Sequence, residues 1–261
     1  NKRANFTHDS VVVSGPHGNA MIDDVVLSTN RDDIHVHVVP GFYGVSFEGS
    51  VPCKKTIGPS GSDITAAAVG KFYQGHGDTD QVIIYTDVDG IYTADPRTVP
   101  DASIIPYMSR KEAVALGHAG GKVLHPRTPL FLFGTDVGLC VRRMGREDGG
   151  TWVTMKGAGR EIPLAVGLVS DQKMVTIIGY HMQGIPGIAA DVFQTIASRG
   201  VSVSLITQSC TECAISFTLP ETETISLGHE YCMEVKKVSI VTIVGEYMRQ
   251  KVGVAARFCA E

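Results

Sequence analysis

The first 150 residues alternate between short apolar runs and helix-like segments, and this alternation limits the fold more than any other feature. DQVIIYTD at 80–87 and TDVGLCVRR at 135–143 have the length and apolar content of buried strands. SDITAAAVGKFYQ at 62–74 starts with two good cap residues, and SRKEAVALGHAGG at 109–121 starts with serine and ends in glycines. Strand and helix in alternation predict an α/β domain with a largely parallel sheet covered by helices.

Residues 164–261 follow a different pattern. They read as strand, helix, strand, strand, and then as a partial repeat of strand, turn and helix start. A repeat of this kind predicts two small α+β modules in tandem. We therefore expect an α/β domain over 1–150, a first module over 164–237 and the start of a second over 238–261. The polar, glycine-rich stretch at 142–153 is interpreted as the linker.

Composition excludes several classes of protein. The chain has 261 residues and a net charge of -4, whereas a general nucleic-acid binder needs a basic face. No apolar run reaches membrane-spanning length and no secretory signal pattern is present, so we expect no membrane partner. The six cysteines are scattered, which favours reduced thiols in a cytoplasm. Cys210 and Cys213 form a C-x-x-C without a second pair, so no metal site is assigned.

TIGPSGSD at 56–63 carries the first candidate site. Small residues allow backbone N–H groups to approach an anion, and the helix that starts at Ser62 and Asp63 favours negative charge at its N-terminus. The alternative is a simple turn with a Ser/Asp cap. A Walker loop is excluded because the Lys-Ser/Thr ending is missing.

TDVDGIYTADPR at 86–97 follows the predicted strand at 80–87. In parallel sheets ligands bind at the carboxyl ends of strands, where Thr86 and Asp87 can bond a ribose, a phosphate or metal-bound water. Arg97 offers a fork suited to phosphate oxygens. The alternative is a solvated polar loop, and Asp89 and Asp95 are interpreted as turn-forming residues.

Two further segments carry polar side chains at turns. In GGKVLHPR, at 120–127, Lys122 follows two glycines that could aim it at a phosphate, whereas His125 is interpreted as structural. In LITQSCTE, at 205–212, a predicted strand ends in Gln208 and Ser209. Amide and hydroxyl groups beside open helix N–H groups suit a zwitterionic amino acid. The alternative is a polar hairpin.

In this order the motifs resemble the aspartokinase family of the amino-acid-kinase fold. The resemblance rests on GFYG, TIGPSGSDITAA, TDVDGIYTADPR and GGKVLHPR, and it covers about residues 38–261. The second half resembles the paired ACT regulatory modules of that family. VSLITQSCTECAISF is most similar to the version in bifunctional aspartokinase–homoserine dehydrogenases.

The resemblance implies a reaction and a set of site residues. The family transfers the γ-phosphoryl group of ATP, with Mg²⁺, to the side-chain carboxylate of L-aspartate. Lys122 and Asp63 would be catalytic. Carried over by motif, the nucleotide would be held by Thr86, Asp87, Tyr92, Arg97, Lys122 and Val123, and the aspartate and phosphate end by Phe42, Ser62 and Asp63.

The chain also departs from the family pattern. Pro59 and Ser60 stand where relatives carry arginine and glycine, and the Lys-Phe-Gly-Gly strand and the Ser-Phe-Gly-Glu helix are missing. We expect that the chain is part of a longer one. The alternative is a non-catalytic amino-acid-sensing subunit. Another amino-acid kinase fits the fold but does not explain KVLHPR or the ACT repeat.

ACT modules imply feedback by an amino acid, usually at an interface between subunits, and so a homo-oligomer. Relatives that sense lysine tend to carry aspartate where this chain has Ser204, so threonine is favoured over lysine. The effector residues would be Gly187, Ile188, Ala189, Gln208 and Ser209. The family also implies a cytoplasmic protein, or a plastid one in a plant.

Overall fold

The computed structural model divides into two compact units, which are described separately. One comprises Asn1–Gly167 with Ile243–Glu261, and the other comprises Leu168–Thr242. The structure describes residues 10–26, 39–75, 77, 81–157, 164–179, 187–208, 214–225, 232–246 and 248–260. No helix in these ranges is long and apolar enough to cross a membrane.

The first unit begins with a four-stranded sheet in the order β2-β1-β3-β4. Its strands pair as two antiparallel hairpins, and β1 lies parallel to β3 between them. Helix α1 packs against this sheet through buried Ile64 and Ala68, which share a core with Val11 and Val13. The bounds are β1 Ser10–Ser14, β2 Met21–Val26, β3 Tyr43–Glu48, β4 Val51–Thr56 and α1 Gly61–Gln74.

A second four-stranded sheet in the same unit has the order β5-β7-β8-β6. The predicted crossover pair β5 and β7 is parallel over six residue pairs, β6 is parallel to β8, and β7 and β8 are antiparallel. The α/β class is therefore confirmed, with mixed rather than purely parallel pairing. The bounds are β5 Gln81–Thr86, β6 Tyr107–Ser109, α2 Arg110–His118, α3 Arg127–Phe131, β7 Gly138–Arg143 and β8 Thr151–Thr154.

The stretch 142–153 is not a linker, so that interpretation is wrong. Arg142 and Arg143 end β7, and a turn leads into β8, whose Thr151 and Val153 are fully buried in the sheet. Gly150 sets this turn, because a Cβ atom there would lie 2.6 Å from the carbonyl oxygen of Val141. Glycines that look like a flexible connection here allow two strands to approach closely.

The two predicted helix starts differ in how they form. Helix α2 begins as expected, with a reciprocal capping box between Ser109 and Glu112. Helix α1 begins one residue earlier than expected, at Gly61, after Ser60 in the left-handed conformation and without a side-chain cap bond. The Gly61 N–H donates to the Gly58 carbonyl, so the preceding loop turns directly into the helix.

The second unit has the predicted βαββ order. Strands β9 and β11 pair antiparallel over seven residue pairs, and β10 pairs antiparallel with β11. Helix α4 packs Val192 and Ile196, four residues apart, against Ile177 and Phe217. The sheet order is β10-β11-β9-β12, with β9 Ala165–Ile178, α4 Ile188–Ser198, β10 Ile206–Gln208, β11 Ala214–Pro220 and β12 Cys232–Val244.

The last residues return to the first unit. The Leu164 N–H donates to the Val244 carbonyl at 2.8 Å, and the Glu246 N–H donates to Glu112 Oε1 at 3.1 Å. A 3-10 turn at Met248–Gln250 and helix α5 at Val254–Ala260 follow. A second ACT module starting at residue 238 stays a prediction.

Candidate active site

The carboxyl end of β5 places two of the predicted nucleotide residues side by side. Thr86 is the last residue of β5, and its Oγ1 donates a hydrogen bond to Asp87 Oδ1 at 3.0 Å. Gly90 allows the chain to turn immediately afterwards, since a Cβ atom there would lie 2.9 Å from Thr151 Oγ1. The same hydroxyl oxygen accepts the N–H of Ile91 at 2.8 Å, so the loop after β5 is fixed to β8.

Asp89 is an ion-pair centre and not simply a turn residue. Arg143 donates to it from Nε at 2.8 Å, and Arg146 Nη1 lies 3.6 Å from it. The hydrogen bond from Arg143 is the main reason why the pKa of Asp89 lies below its ordinary value, and a hydrogen bond from Tyr92 acts in the same direction. The backbone of Tyr92 pairs with Ile104, which fixes its place in the same loop.

Asp95 and Arg97 form a two-bond fork at the tip of this loop. Arg97 donates from Nε to Oδ1 at 3.0 Å and from Nη2 to Oδ2 at 2.8 Å, and its backbone N–H also donates to Oδ1. These bonds lower the pKa of Asp95 to about 2, and the positive charge of Lys122 contributes. The predicted phosphate ligand Arg97 is therefore oriented by an acid of its own loop, with N–H groups still free to bind an anion.

The predicted catalytic carboxylate lies at the start of α1, where it is partly shielded from solvent. Asp63 lies in the first turn and is half-buried, and Ser62 Oγ donates to its Oδ1 at 3.4 Å. Burial raises the pKa of Asp63, while the bond from Ser62 and the charge of His125 partly oppose that rise. The charged form of Asp63 is thus less favoured than that of an exposed aspartate.

Phe42 lies beside this helix start through its backbone. Its φ is 75°, in the left-handed region, and its carbonyl accepts the Ile57 N–H at 2.9 Å. Gly41 packs so closely that a Cβ atom there would lie 3.1 Å from the Cα of Ser62. The structure therefore brings together all three residues predicted for the aspartate and phosphate end, with the Phe42 side chain 49% exposed.

The segment 122–127 reaches both groups of residues. Lys122 is exposed and close enough to lower the pKa of Asp95, while His125 and Asp63 affect the pKa of each other. Burial and the positive charge of Arg127 lower the pKa of His125. Val123 packs against the core of the unit, which fixes the segment between its two charged ends.

Sequence reasoning gave no role to Arg127 and treated His125 as structural. Arg127 donates its N–H to His125 Nδ1 at 3.2 Å, and its guanidinium reaches the carbonyl of Ala20 at 2.9 Å. The partners of Arg127 lie up to 108 residues away. The local sequence HPR at 125–127 gives no signal for contacts over such a separation, so the role of Arg127 could not be predicted from it.

The predicted effector residues lie in the second unit. Gly187, with φ 98°, precedes α4, and Ile188 and Ala189 form its first turn, where N–H groups have no partner within a helix. Gln208 is the exposed last residue of β10. Ser209 and the pair Cys210 and Cys213 lie outside the described residues.

Both halves of the chain match known protein families. Residues 19–141 match the amino acid kinase family and residues 175–226 match the ACT domain. A bifunctional aspartokinase/homoserine dehydrogenase of Haemophilus influenzae is 35% identical over 77% of this chain and 26% of its own length. An aspartokinase of Mycolicibacterium smegmatis is 33% identical over 95% of this chain and 63% of its own length. The chain thus spans less than two thirds of these relatives.

Solved structures give the same result. Escherichia coli aspartokinase III in complex with aspartate and ADP has a TM-score of 0.72 and 26% identity, covering 96% of this chain and 59% of its own. Its complex with lysine and aspartate has a TM-score of 0.68 and 27% identity, covering 90% and 55%. With the kinase and ACT matches in this order, the chain belongs to the aspartokinase family.

Proposed function

We propose that this chain transfers the γ-phosphoryl group of ATP to the side-chain carboxylate of L-aspartate, giving 4-phospho-L-aspartate. The observation that carries the proposal is the segment 122–127, which joins the two groups of predicted site residues. Lys122 acts on Asp95 beside the predicted nucleotide residues, and His125 acts on Asp63 at the start of α1. Transfer of a phosphoryl group from ATP to aspartate requires the two binding regions to lie next to each other.

The charges of the site fit this chemistry. A carboxylate is already a nucleophile, so catalysis reduces to alignment and to neutralising charge on the transferred group. Lys122 and Arg97 supply positive charge, and the N-terminus of α1 supplies oriented N–H groups. Asp63, half-buried at that N-terminus, would orient the substrate ammonium group through its carboxylate.

The residues after β5 also fit MgATP. Mg²⁺ keeps several waters and needs only one or two carboxylates besides the phosphates. Asp87 is exposed at the strand end and accepts a bond from Thr86, so its carboxylate is available to a metal-bound water. When bound, Mg²⁺ would neutralise phosphate charge. The described residues contain no cluster of three or more ligand side chains, so the phosphates would complete the metal shell.

A non-catalytic sensing subunit is the second candidate. It is favoured by Pro59, which lies exposed in the loop before α1 and offers no donor to a substrate carboxylate. One experiment separates the two functions. Purified chain is incubated with MgATP, L-aspartate and hydroxylamine, and aspartyl hydroxamate is measured. Turnover that needs both substrates supports the kinase; binding of an effector amino acid without turnover supports the sensing subunit.

For regulation we propose threonine as the effector of the second unit. Gln208 offers an amide to a hydroxyl or carboxylate without adding charge, and Gly187 precedes the start of α4, whose first N–H groups have no partner within the helix. Ser204 supplies no carboxylate for a lysine ammonium group. Calorimetric titration should give heat with threonine and none with lysine, and Gln208→Ala should weaken threonine binding about tenfold. Lysine binding without a threonine response would contradict the proposal.

We also propose self-association through the second unit. In the described sheet order β10 is at the edge, and it carries Ile206 at 56% exposure beside Leu205 at 46%. An exposed apolar edge strand is a ready pairing surface. Light scattering after size-exclusion chromatography should give a mass of two or more chains. Replacing Ile206 with lysine should shift it toward one chain.

A further inference from the structure

Arg127 connects three segments that are far apart in the chain. Its Nη1 donates to Asn19 Oδ1 at 3.1 Å and to the Ile57 carbonyl at 3.3 Å, and its Nη2 donates to the Ala20 carbonyl at 2.9 Å. Asn19 and Ala20 belong to the turn between β1 and β2. Ile57 belongs to the loop between β4 and α1.

The same two loops are also bonded to each other at this point. The N–H groups of Gly18 and Ala20 donate to the carbonyl of Thr56 at 3.1 and 3.3 Å. Gly58 approaches so closely that a Cβ atom there would lie 2.3 Å from the carbonyl oxygen of Gly18. Arg127 therefore completes a junction between these two loops. Helix α1 starts at Gly61, directly after the second of them.

The guanidinium of Arg127 pairs with oxygens that carry no charge. Among the described residues it has no carboxylate partner, and it is half-buried. Its backbone N–H at the same time fixes His125 Nδ1 as an acceptor. A lysine could not make this set of bonds, because only a planar fork reaches several acceptors in fixed directions.

We propose that Arg127 is a positioning residue for the acceptor substrate: it sets the loop before α1, and thereby Ser62 and Asp63, against the segment that carries Lys122 and His125. The inference rests on the proposed kinase activity. The bonds of Arg127 reach the loop before α1, at the predicted aspartate end (called the substrate end below), and not the loop 86–97. Its loss therefore acts on aspartate binding and leaves ATP binding unchanged.

Arg110 provides a matched control within the same unit. It too donates to backbone carbonyls, those of Leu132, Thr135 and Val137, but it is 1% exposed, and these partners lie at the end of α3 and after it, not in the loops before β2 and α1. The test compares Arg127→Lys with Arg110→Lys in the full chain. Each variant keeps the charge and loses the fork.

Steady-state kinetics are measured for both substrates. Arg127→Lys should raise the KM for aspartate about tenfold, the loss of one or two charge-assisted bonds, and leave the KM for ATP within about twofold. Arg110→Lys should lower the melting temperature and leave both KM values unchanged. Equal changes in both KM values for Arg127→Lys, or no change in either, would overturn the proposal.

Amide hydrogen exchange gives a readout that does not need turnover. In Arg127→Lys the N–H groups of Gly18 and Ala20 should exchange at least about tenfold faster than in the parent, whereas Arg110→Lys should leave them protected. If the parent chain shows no aspartate-dependent turnover, the proposed activity fails, and the exchange data alone decide whether Arg127 fixes the loop. Unchanged exchange in Arg127→Lys would then refute that role too.

Discussion

The two ends of the candidate site are built in different ways. Around the loop after β5, exposed side chains pair with charges, as Asp95 does with Arg97 two residues away. At the start of α1 the backbone dominates: Phe42 and Ile57 bond through main-chain atoms, and Arg127 reaches carbonyls about a hundred residues distant. The first end combines a local ion pair with side-chain contacts to β7 and β8, whereas the second is set mainly by backbone contacts.

This difference determines which perturbations each end tolerates. Exposed ion pairs contribute little to stability, so charges in the loop 86–97, the predicted nucleotide end, can be changed without unfolding the chain. Glycines in close contact with backbone leave no room for a side chain, so substitutions at the substrate end change structure as well as binding. Substitutions at the two ends should therefore differ in kind: kinetic at one, structural and kinetic at the other.

The largest kinetic effect is expected at the residue between both ends. Lys122→Met removes the positive charge that we propose for neutralising the transferred phosphoryl group, and it changes no buried contact because Lys122 is exposed. The kcat with ATP and aspartate should fall about 100-fold, the usual loss for one electrostatic donor, while the melting temperature stays the same. Lys71→Met, at the exposed far end of α1, is the control and should keep full activity. A kcat within threefold of the parent would remove Lys122 from the mechanism.

Gly58→Ala tests whether the substrate end depends on the backbone. Gly58 has φ 99° and its Cβ would clash with the Gly18 carbonyl, so we expect a loss of about 2–3 kcal/mol in the free energy of unfolding. Gly134→Ala is matched, because Gly134 has φ 79° with nothing within 4 Å of the added atom. It should cost only about 1 kcal/mol. Chemical denaturation measures both, and equal losses would show that the contact with Gly18 is unimportant.

The sequence predicted the local structure at one end of the candidate site better than at the other. Carboxylates and an arginine just past a buried apolar run indicate a ligand-binding strand end, and Thr86 and Asp87 lie there. The sequence did not predict that Asp89 pairs with Arg143, because that contact joins the loop after β5 to the end of β7, 54 residues further along the chain. Pairing across a sheet depends on strand order, which local patterns do not determine.

The substrate end could be located but not built from sequence. The motif at 56–63 indicated a helix start, yet Ser62 and Asp63 lie inside the helix and do not cap it. The loop turn through Gly58 and the contact of Gly61 with Phe42 move the start. Such contacts come from packing between distant segments, so propensity alone places the start incorrectly.

Arg97→Met should affect only the nucleotide end. Arg97 is bonded to Asp95 and is largely exposed, so its removal should leave stability nearly unchanged. Without its charge the KM for ATP should rise about tenfold, while the KM for aspartate stays within twofold. The control is Arg146→Met, another exposed arginine paired with an acid, which should change neither KM. An increase in the KM for aspartate alone would reverse the assignment of the two ends.

The smallest expected effect is on the pH dependence of stability, because the pKa values of Asp95 and Asp63 are shifted in opposite directions. The bonds from Arg97 lower the pKa of Asp95 to about 2, so its stabilising contribution is present above the ordinary value of 3.8 and is lost as the pH falls toward 2. Burial raises the pKa of Asp63, so stability instead decreases as the pH rises through that raised value. Asp63→Asn should therefore stabilise the chain slightly at pH 7 and Asp95→Asn should destabilise it slightly.

Carbon-13 NMR of the carboxyl groups measures this contrast directly. During a titration upward from pH 3, Asp95 should already be ionised at the first point, whereas Asp63 should ionise only above 3.8. The two aspartate-to-asparagine variants assign the signals. If Asp63 titrated at or below 3.8, its carboxylate would be as well solvated as that of an exposed aspartate. The start of α1 would then not be the drier end of the site, and the distinction between an ion-paired end and a packed end would fail.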